Sequence, residues 1–270
     1  MSGRDVVRAW TGAGFEPADP AEHGANDLIL AADSWLVVDG AVLALDRHRE
    51  RFARAAAEVG DDPVAARAAV GAAMHHVPAG AWSPRLDLTP EGIRLRIRPA
   101  PEARGTVEVV TASRDPRTVP LRKGPDLAAL ALLQAEERER AGAEVEPVLT
   151  TGADAGGLVA EGAWSALLWW HGHELRVPAA DVPRLPSVTA DVLLDLANAD
   201  GVRVREVHAT PDDLAGAEVW LANALRGIRV VTRWHGGPEV GLGERATAWQ
   251  ERLTALRQAP AADAPIASRR

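Results

Sequence analysis

The residue type that stands out in this sequence is the lysine at position 123, in the segment 120–127, Pro-Leu-Arg-Lys-Gly-Pro-Asp-Leu. Lys and Arg together number 30, so the other 29 cationic side chains are arginines, as a GC-rich coding bias would produce. Arginine stays protonated in proteins, whereas a desolvated lysine can lose its proton and attack a carbonyl carbon. Lys123 is therefore a candidate Schiff-base residue. The alternative, a surface lysine left by codon drift, agrees equally well with the composition.

Other positions could bind an anionic cofactor that carries a carbonyl group. The guanidinium fork of Arg51 fits phosphate oxygens, although arginines on helices usually cover apolar surface or face solvent. Ser187 and Thr189 lie where a helix is predicted to begin, so they either bind phosphate or form an ordinary helix cap. Glu161 follows an apolar strand. It either projects a carboxylate into a cleft or simply ends the strand.

The overall composition narrows the class of protein. A chain of 270 residues with 47% hydrophobic content can form two modest domains or one large one. The net charge of -8 argues against nucleic acid and anionic membranes as partners. The absence of cysteine excludes thiolate metal sites and cysteine nucleophiles. No segment reads as a signal peptide or approaches the roughly 20 apolar residues of a membrane span, so we expect a soluble cytoplasmic protein.

Two histidine pairs are the only pattern that could suggest a metal. They are His75 with His76, and His171 with His173. Neither pair has a carboxylate or a cysteine nearby at the spacing of metal ligands. We therefore interpret them as surface histidines and expect no metal site.

The first half of the chain shows patterns of both strands and helices. Asp39 and Gly40 are typical of a tight hairpin turn. Asp46 is the predicted N-cap of a helix at 47–59, and a second helix is predicted at 63–75. The segment 93–98 alternates apolar residues with arginine, which predicts one apolar and one cationic face. The predicted strands of this half are 27–30, 34–38, 41–45, 85–88, 93–98 and 106–111.

The second half mixes helices and strands in a different order. The predicted helices are 126–143, 189–199, 211–215 and 244–257. The predicted strands are 145–150, 158–161, 166–170, 174–177, 202–207, 219–222 and 228–232. The segment 112–120 is charged, contains two prolines and lacks periodicity, which indicates a boundary.

The expected organisation is an α+β protein of two domains. A small N-terminal α/β domain is predicted at 1–112, and an interdomain linker at 113–121. A larger, cofactor-binding C-terminal α/β domain is predicted at 122–258. The Ala- and Pro-rich segment 259–270 is predicted to be a disordered tail.

Five short motifs follow one another along nearly the whole chain. They are His-Arg-Glu-Arg-Phe at 48–52, Lys-Gly-Pro-Asp-Leu at 123–127, Val-Ala-Glu-Gly at 159–162, Leu-Pro-Ser-Val-Thr at 185–189 and Trp-Leu-Ala-Asn-Ala-Leu at 220–225. In this order the chain resembles the class IV aminotransferases of the pyridoxal-phosphate fold-type IV group. That group includes branched-chain and D-amino-acid aminotransferases and 4-amino-4-deoxychorismate lyase. Each motif alone is weak, but five at suitable spacing are specific.

The resemblance implies a role for each motif around pyridoxal 5'-phosphate. It makes Lys123 the residue that forms the Schiff base and moves the proton at the substrate Cα, which arginine cannot do. It makes Glu161 the partner of the pyridine nitrogen. The residues that it implies for the phosphate are Arg51, Val188, Thr189, Asn223 and Ala224. Ser187 joins them through its place at the helix start.

The sequence departs from the family pattern at several positions. The usual Gly-Asp-Gly-aromatic turn is replaced by Ala-Ala-Asp-Ser-Trp at 31–35, and the chain has no tyrosine to contact cofactor or substrate. Asp126 and Ala166 stand where asparagine is common, and Arg98 precedes proline rather than glycine. Most of these positions face the substrate in the family. The resemblance therefore supports the binding of the cofactor more strongly than it supports the identity of any one substrate.

Three hypotheses for function follow. The first is an aminotransferase acting on an amino acid and a 2-oxo acid. The second is 4-amino-4-deoxychorismate lyase, because Asn223, Ala224 and Leu225 look closest to that branch. The third is a degenerate, non-catalytic member, suggested by the altered Gly-Asp-Gly turn. The resemblance also implies a homodimer, with a small-molecule substrate and with neither nucleic acid nor membrane as partner.

Overall fold

The computed structural model describes residues 6–18, 28–152 and 157–260. Its strands in these ranges are β1 Val6–Trp10, β2 Phe15–Pro17, β3 Ala31–Ser34, β4 Val37–Val38, β5 Ala41–Leu43, β6 Ala81–Thr89, β7 Gly92–Pro99, β8 Thr106–Thr111, β9 Val145–Thr150, β10 Val159–Gly162, β11 Ser165–His171, β12 Glu174–Pro178, β13 Arg203–Val207, β14 Glu218–Asn223, β15 Gly227–His235 and β16 Arg257–Gln258. The helices are α1 Leu45–Glu58, α2 Pro63–Met74, α3 Leu127–Ala141, α4 Val188–Ala199 and α5 Ala246–Ala255, with a 3-10 helix at Pro211–Leu214. This mixture confirms the predicted α+β class.

The described chain divides into two compact units. The first contains the residues up to Pro101, Lys123–Pro125 and the residues from Leu256 onward, and the second contains Glu102–Arg122 and Asp126–Ala255. Lys123 thus lies in the first unit, whereas the sequence pattern predicts that 122–258 form a second domain. A main-chain hydrogen bond from the Ala32 amide to the Lys123 carbonyl, 2.7 Å long, ties it there. The division into domains joined by a linker at 113–121 stays a prediction.

The first unit is built on an eight-stranded sheet. Its order is β16, β5, β4, β6, β7, β1, β2, and β3 also pairs with β6. The turn between β4 and β5 is the predicted one, with Asp39 at φ 48 and Gly40 at φ 81. The predicted strand 34–38 is interrupted, because β3 ends at Ser34 and β4 begins at Val37. In the predicted strand 27–30, residue 27 lies outside the described residues and 28–30 precede β3 without being part of it.

Helix α1 begins at Leu45, so the prediction that Asp46 is its N-cap is wrong. The N-cap is Ala44, at φ 50 and ψ 48, and no side chain caps the helix. Asp46 lies in the first turn and accepts a hydrogen bond of 3.0 Å from Arg49. The start lies earlier than predicted because Leu45 is already buried in the core with Phe52.

Helix α2 follows its predicted bounds closely. The Asp62 carboxylate caps it by accepting a hydrogen bond of 2.8 Å from the Val64 amide, and Pro63 fits the first turn because that turn needs no amide donor. Small residues on one side of α2 pack in the core of the first unit. That core contains the fully buried side chains of Trp35, Leu86 and Leu88.

The second unit is also built on an eight-stranded sheet. Its order is β10, β9, β8, β15, β14, β11, β12, β13, and β10 pairs additionally with β11. The second pairing of β10 closes six of the strands into a hydrogen-bonded ring, which leaves β12 and β13 as an extension. The side chains of Leu167, Trp169, Leu221 and Val231 are among those packed in its core.

The three helices of the second unit agree with their predicted positions within a few residues. Helix α3 ends at Ala141 and is followed by the capping residue Gly142, whose φ of 62 suits a residue without a side chain. Helix α4 begins directly after Ser187. Of the predicted tail 259–270, the residues beyond 260 lie outside the described ones.

Candidate active site

Main-chain contacts position Lys123 beside strand β3. The Ala32 amide donates to the Lys123 carbonyl at 2.7 Å, so the segment runs along the strand. Gly124 follows at φ 137, and a Cβ built there would lie 2.7 Å from the Ala31 Cα. Only glycine fits this conformation and this close approach. The glycine of the Lys-Gly-Pro motif therefore fixes where the lysine backbone lies.

The amine of Lys123 lies in a partly buried, charged environment. Its Nζ donates to the Ser34 Oγ at 2.8 Å. Burial and, to a lesser extent, the charge of Arg51 lower the pKa of Lys123 to about 8, while Asp33 opposes the change. A substantial fraction of this amine is neutral near pH 8. The role of Lys123 as a nucleophile stays a prediction, and a neutral amine is the form that this role requires.

Asp33 joins Arg51 to the lysine region. The Arg51 Nε and Nη2 donate to its two oxygens at 2.8 and 2.7 Å, and the His48 Nδ1 lies 2.8 Å from its Oδ1. Burial alone would raise the pKa of Asp33, but the charges of Arg51 and His48 outweigh burial and hold it well below its usual range. Burial lowers the pKa of His48. Asp33 is therefore an ionised, fully buried carboxylate.

This arrangement defines how Arg51 could bind an anion. One edge of its guanidinium is engaged by Asp33, which fixes the plane of the group. Arg51 and Lys123 are thus brought close together within the first unit. The sequence indicated Arg51 but not its carboxylate partner. The signal was present, because Asp33 lies at the centre of the altered turn.

A second acidic group lies on the same sheet. Asp87 on β6 is buried, and its Oδ1 accepts a hydrogen bond of 2.6 Å from the Arg85 Nε. The Arg96 Nε lies 3.5 Å from its other oxygen. The register places Ser34 opposite Arg85, and Arg85 opposite Arg96. One row across β3, β6 and β7 therefore carries the serine next to Lys123 and two arginines.

Glu161 is the centre of a cluster in the second unit. It lies on β10, is 8% exposed, and forms an ion pair with Arg117 Nη1. The Leu185 amide donates to its oxygens at 3.2 and 3.3 Å. Burial raises the pKa of Glu161 to about 7, although Arg117 acts to lower it. Arg117 also binds Asp115 through Nη2 at 2.7 Å.

Arg117 was not predicted as a site residue from the sequence. It lies in the segment 113–121, which carries charges and prolines but no motif. Its side chain is 5% exposed, and it connects two carboxylates. Its charge favours the ionised form of Glu161. The predicted role of Glu161 as a carboxylate partner of a ring nitrogen therefore depends on Arg117.

The start of helix α4 has the features of an anion site. The Ser187 hydroxyl accepts a hydrogen bond of 3.3 Å from the Ala190 amide and so caps the helix. Val188 and Thr189 are buried, and the Thr189 Oγ1 makes no hydrogen bond within the described chain. A buried hydroxyl without a partner is unfavourable. A ligand oxygen at this helix end would satisfy it together with the helix amides.

The side chain of Asn223 is used to shape a turn at the end of β14. Its Oδ1 accepts from the Leu225 and Arg226 amides at 3.1 and 2.9 Å. Its Nδ2 donates to the Ser165 Oγ at 3.0 Å. The side chain thus holds the turn that contains Ala224. The amide group of Asn223 is therefore already engaged within the protein.

Two further observations concern the described residues alone. They contain no group of three or more His, Cys, Asp or Glu side chains placed to hold a metal ion. None of the helices among them is long and apolar enough to span a bilayer.

The fold carries two clusters of charged side chains. One surrounds Lys123 in the first unit, and the other surrounds the buried Glu161 in the second unit. The family model for class IV aminotransferases, "Amino-transferase class IV", matches residues 30–234. The chain therefore belongs to the class IV aminotransferase family and is an enzyme. A search of curated proteins finds no match.

Solved structures share this fold at low sequence identity. A hypothetical aminotransferase from Mycobacterium tuberculosis, with α-ketoglutarate and PMP bound, is 20% identical with a TM-score of 0.77, over 93% of this chain and 98% of that one. A fold IV transaminase from Curtobacterium pusillum is 21% identical with a TM-score of 0.73, over 93% and 98%. A protein assigned as 4-amino-4-deoxychorismate lyase from Legionella pneumophila is 16% identical with a TM-score of 0.69, over 86% and 94%. The fold is thus that of the fold-type IV transaminases.

Proposed function

We propose that the protein is a pyridoxal-phosphate-dependent aminotransferase that moves an amino group between an amino acid and a 2-oxo acid. The observation that carries the proposal is the Lys123 amine. It is the single lysine of the chain, it stands in the family motif, and burial lowers its pKa to about 8. A neutral amine is what carbonyl chemistry requires.

The residues present fit pyridoxal 5'-phosphate. The amine of Lys123 would bind the cofactor's carbonyl carbon as a Schiff base. The carboxylate of Glu161 would pair with the cofactor's ring nitrogen. Arg51 and the start of helix α4, with the unsatisfied Thr189 hydroxyl, suit a phosphate. When bound, the cofactor supplies an electron sink for negative charge at the substrate Cα. The other residues proposed at the phosphate are Ser187, Val188, Asn223 and Ala224.

Side chains of this chain provide the acid and base functions. Neutral Lys123 accepts and returns a proton at Nζ. Ionised Glu161 would keep a proton on the ring nitrogen, and Arg117 favours that ionised state. Asp33 holds the guanidinium of Arg51 in one plane, so that this group is oriented before an anion binds.

Chemical trapping tests the proposal directly. Purified protein is incubated with pyridoxal phosphate, reduced with borohydride, digested and analysed by mass spectrometry. We expect the pyridoxyl mass on the peptide that contains Lys123, and no label in Lys123→Arg. Amino donors are then supplied in turn with 2-oxoglutarate. If no donor converts the bound cofactor to pyridoxamine phosphate, the aminotransferase proposal fails, and the lyase and the degenerate, non-catalytic hypotheses remain.

The lyase is the second candidate. It is supported by the triplet Asn223, Ala224 and Leu225 and by the structural similarity to the Legionella pneumophila protein. Incubation with 4-amino-4-deoxychorismate distinguishes the two activities. Release of pyruvate and p-aminobenzoate without an oxo-acid acceptor would favour the lyase, and absence of both products would remove it.

We also propose that the enzyme is a homodimer, as the family resemblance implies. Light scattering coupled to gel filtration should give twice the chain mass of 28.6 kDa. A mass equal to one chain at micromolar concentration would contradict this proposal.

A further inference from the structure

We propose that Ser34 is a positioning residue for Lys123: its hydroxyl accepts a hydrogen bond from the amine and holds the amine in one orientation while it is not bonded to the cofactor. The proposal rests on the proposed function, because the orientation matters only if Lys123 reacts. It concerns a position at which this chain differs from the Gly-Asp-Gly pattern of the family, so the contact is a property of this sequence.

The backbone geometry directs the lysine side chain toward Ser34. The Lys123 carbonyl is fixed by the Ala32 amide at 2.7 Å. Ser34 is two residues further along β3, and residues two apart on a strand project from the same face. The Lys123 amine lies within hydrogen-bonding distance of this residue, 2.8 Å from the Ser34 Oγ. A glycine at position 34 would offer no side-chain acceptor there.

Ser34 is itself held rigidly. It is 5% exposed and pairs with Arg85 on β6. Its amide donates to the Asp33 Oδ1 at 2.7 Å, and Asp33 is in turn bound by Arg51 and His48. The hydroxyl therefore occupies a fixed place relative to the Arg51 guanidinium. This is the requirement for a group that orients another.

A hydroxyl is suited to this role because it is neutral. Carboxylates near the amine stabilise its charged form, whereas a hydroxyl orients it with a smaller effect on its protonation. The charged and titratable groups around the amine are Asp33 on β3, His48 and Arg51 on α1, and Arg85 and Asp87 on β6. The Ser34 hydroxyl still accepts a hydrogen bond from the charged ammonium form of Lys123, so its removal disfavours that form. Ser34→Ala should therefore lower the pKa of Lys123.

Amine labelling of the protein without cofactor measures this change. Because Lys123 is the single lysine, acetic anhydride modifies one side-chain amine, and the terminal amine serves as internal reference. Peptide mass spectrometry gives the labelling rate against pH. We expect the midpoint for Lys123 to fall by about one pH unit in Ser34→Ala, and Ser34→Thr, which keeps the hydroxyl, to restore it.

Ser83→Ala is the matched control. Ser83 is a buried serine on β6 of the same sheet, and its hydroxyl makes no hydrogen bond within the described residues. Its loss should leave the Lys123 labelling profile unchanged. In the loaded enzyme we expect Ser34→Ala to lower kcat of the amino-donor half-reaction by about threefold to tenfold, with KM for the donor nearly unchanged.

The two readouts separate this proposal from the proposed function. If Lys123 in Ser34→Ala has the same labelling midpoint as in the wild type, Ser34 does not position the amine, even if the enzyme transaminates. If the labelling midpoint shifts while no amino donor reacts, the role of Ser34 stands and the aminotransferase proposal falls. An equal shift in Ser83→Ala would mean a general loosening of the sheet and would also overturn the proposal.

Discussion

Lys123 and Glu161 illustrate one physical effect acting on opposite charges. Burial disfavours the charged form of each, which lowers the pKa of the amine to about 8 and raises that of the carboxyl to about 7. Both groups therefore change protonation close to neutral pH. That is the range in which acid and base groups are most effective in catalysis.

The first prediction concerns Arg117, whose charge opposes the effect of burial on Glu161. In Arg117→Gln the pKa of Glu161 should rise further above about 7, so the carboxyl binds a proton at neutral pH. We expect kcat at pH 7 to fall by about tenfold and to recover as the pH is raised. The measurement is the pH dependence of kcat for the wild type and the variant.

Arg114→Gln is the control for this variant. Arg114 lies in the same segment, but its side chain is 48% exposed and pairs with the exposed Glu136. The pH dependence of kcat in Arg114→Gln should match that of the wild type. A drop in kcat that is equal at every pH in Arg117→Gln would show that Arg117 acts on structure and not on the protonation of Glu161.

At the scale of elements, the Lys123 segment behaves as a short addition to strand β3. It is held by one main-chain hydrogen bond from Ala32 and by a close approach of Gly124 to the Ala31 backbone. The adjoining strand also carries Asp33 and Ser34. A single stretch of β3 therefore positions the amine, its hydrogen-bond acceptor and the carboxylate that holds Arg51.

The second prediction concerns Gly124. Gly124→Ala places a Cβ 2.7 Å from backbone at φ 137, so the segment must move away from β3. We expect a loss of about 2 to 4 kcal/mol in the free energy of unfolding and a large loss of borohydride-trapped cofactor. Urea unfolding and mass spectrometry measure the two effects.

Gly142→Ala provides the comparison for Gly124→Ala. Gly142 also has a positive φ, of 62, but a Cβ there meets nothing within 4 Å. Gly142→Ala should lower the free energy of unfolding by only about 1 kcal/mol and leave cofactor trapping intact. If the two variants behave alike, the close approach at Ala31 does not determine the position of Lys123.

At the scale of the whole molecule, the composition makes Lys123 unusually easy to observe. The chain has one lysine and neither Tyr nor Cys. In ordinary peptides the pKa values of histidine and of the terminal amine lie at or below about 8, and arginine stays protonated. Between pH 8.5 and 10.5, roughly, the only ordinary side chain left to titrate is this lysine.

The third prediction follows from that isolation. The folded pKa of Lys123 is about 8, below its ordinary value of 10.5, so between these values the unfolded chain binds more protons than the folded one. The stability of the protein without cofactor should therefore rise with pH across this window, and the cost of burying the charged amine is fully present below about 8. Lys123→Met should be more stable than the wild type at pH 7, by about 1 to 3 kcal/mol.

Urea unfolding at intervals of pH measures this difference. The gap between Lys123→Met and the wild type should close as the pH approaches 10.5, the ordinary value for lysine. A wild-type stability that falls or stays level from pH 8.5 to 10, roughly, would contradict a lowered pKa for Lys123.

The sequence by itself determined the family and the α+β class, and it indicated Lys123 as the candidate reactive lysine. Motifs are short and local, and the absence of other lysines is visible without coordinates. The helix at 63–75, the turn at Asp39 and Gly40, and the alternation in 93–98 were equally predictable, because each depends on neighbours within a few residues. The start of α1 was not predictable in this way, because Leu45 is buried in the core and begins the helix earlier than the sequence pattern indicates.

Only the tertiary structure decided how the site residues are partnered. Ser34 and Lys123 are 89 residues apart, and Arg117 and Glu161 are 44 apart, so the register of strands and the packing of loops bring them together. The shifted pKa values depend on the same packing, since burial and neighbouring charge are properties of the folded chain. Residue types determine which chemistry is possible, and packing determines their protonation and geometry.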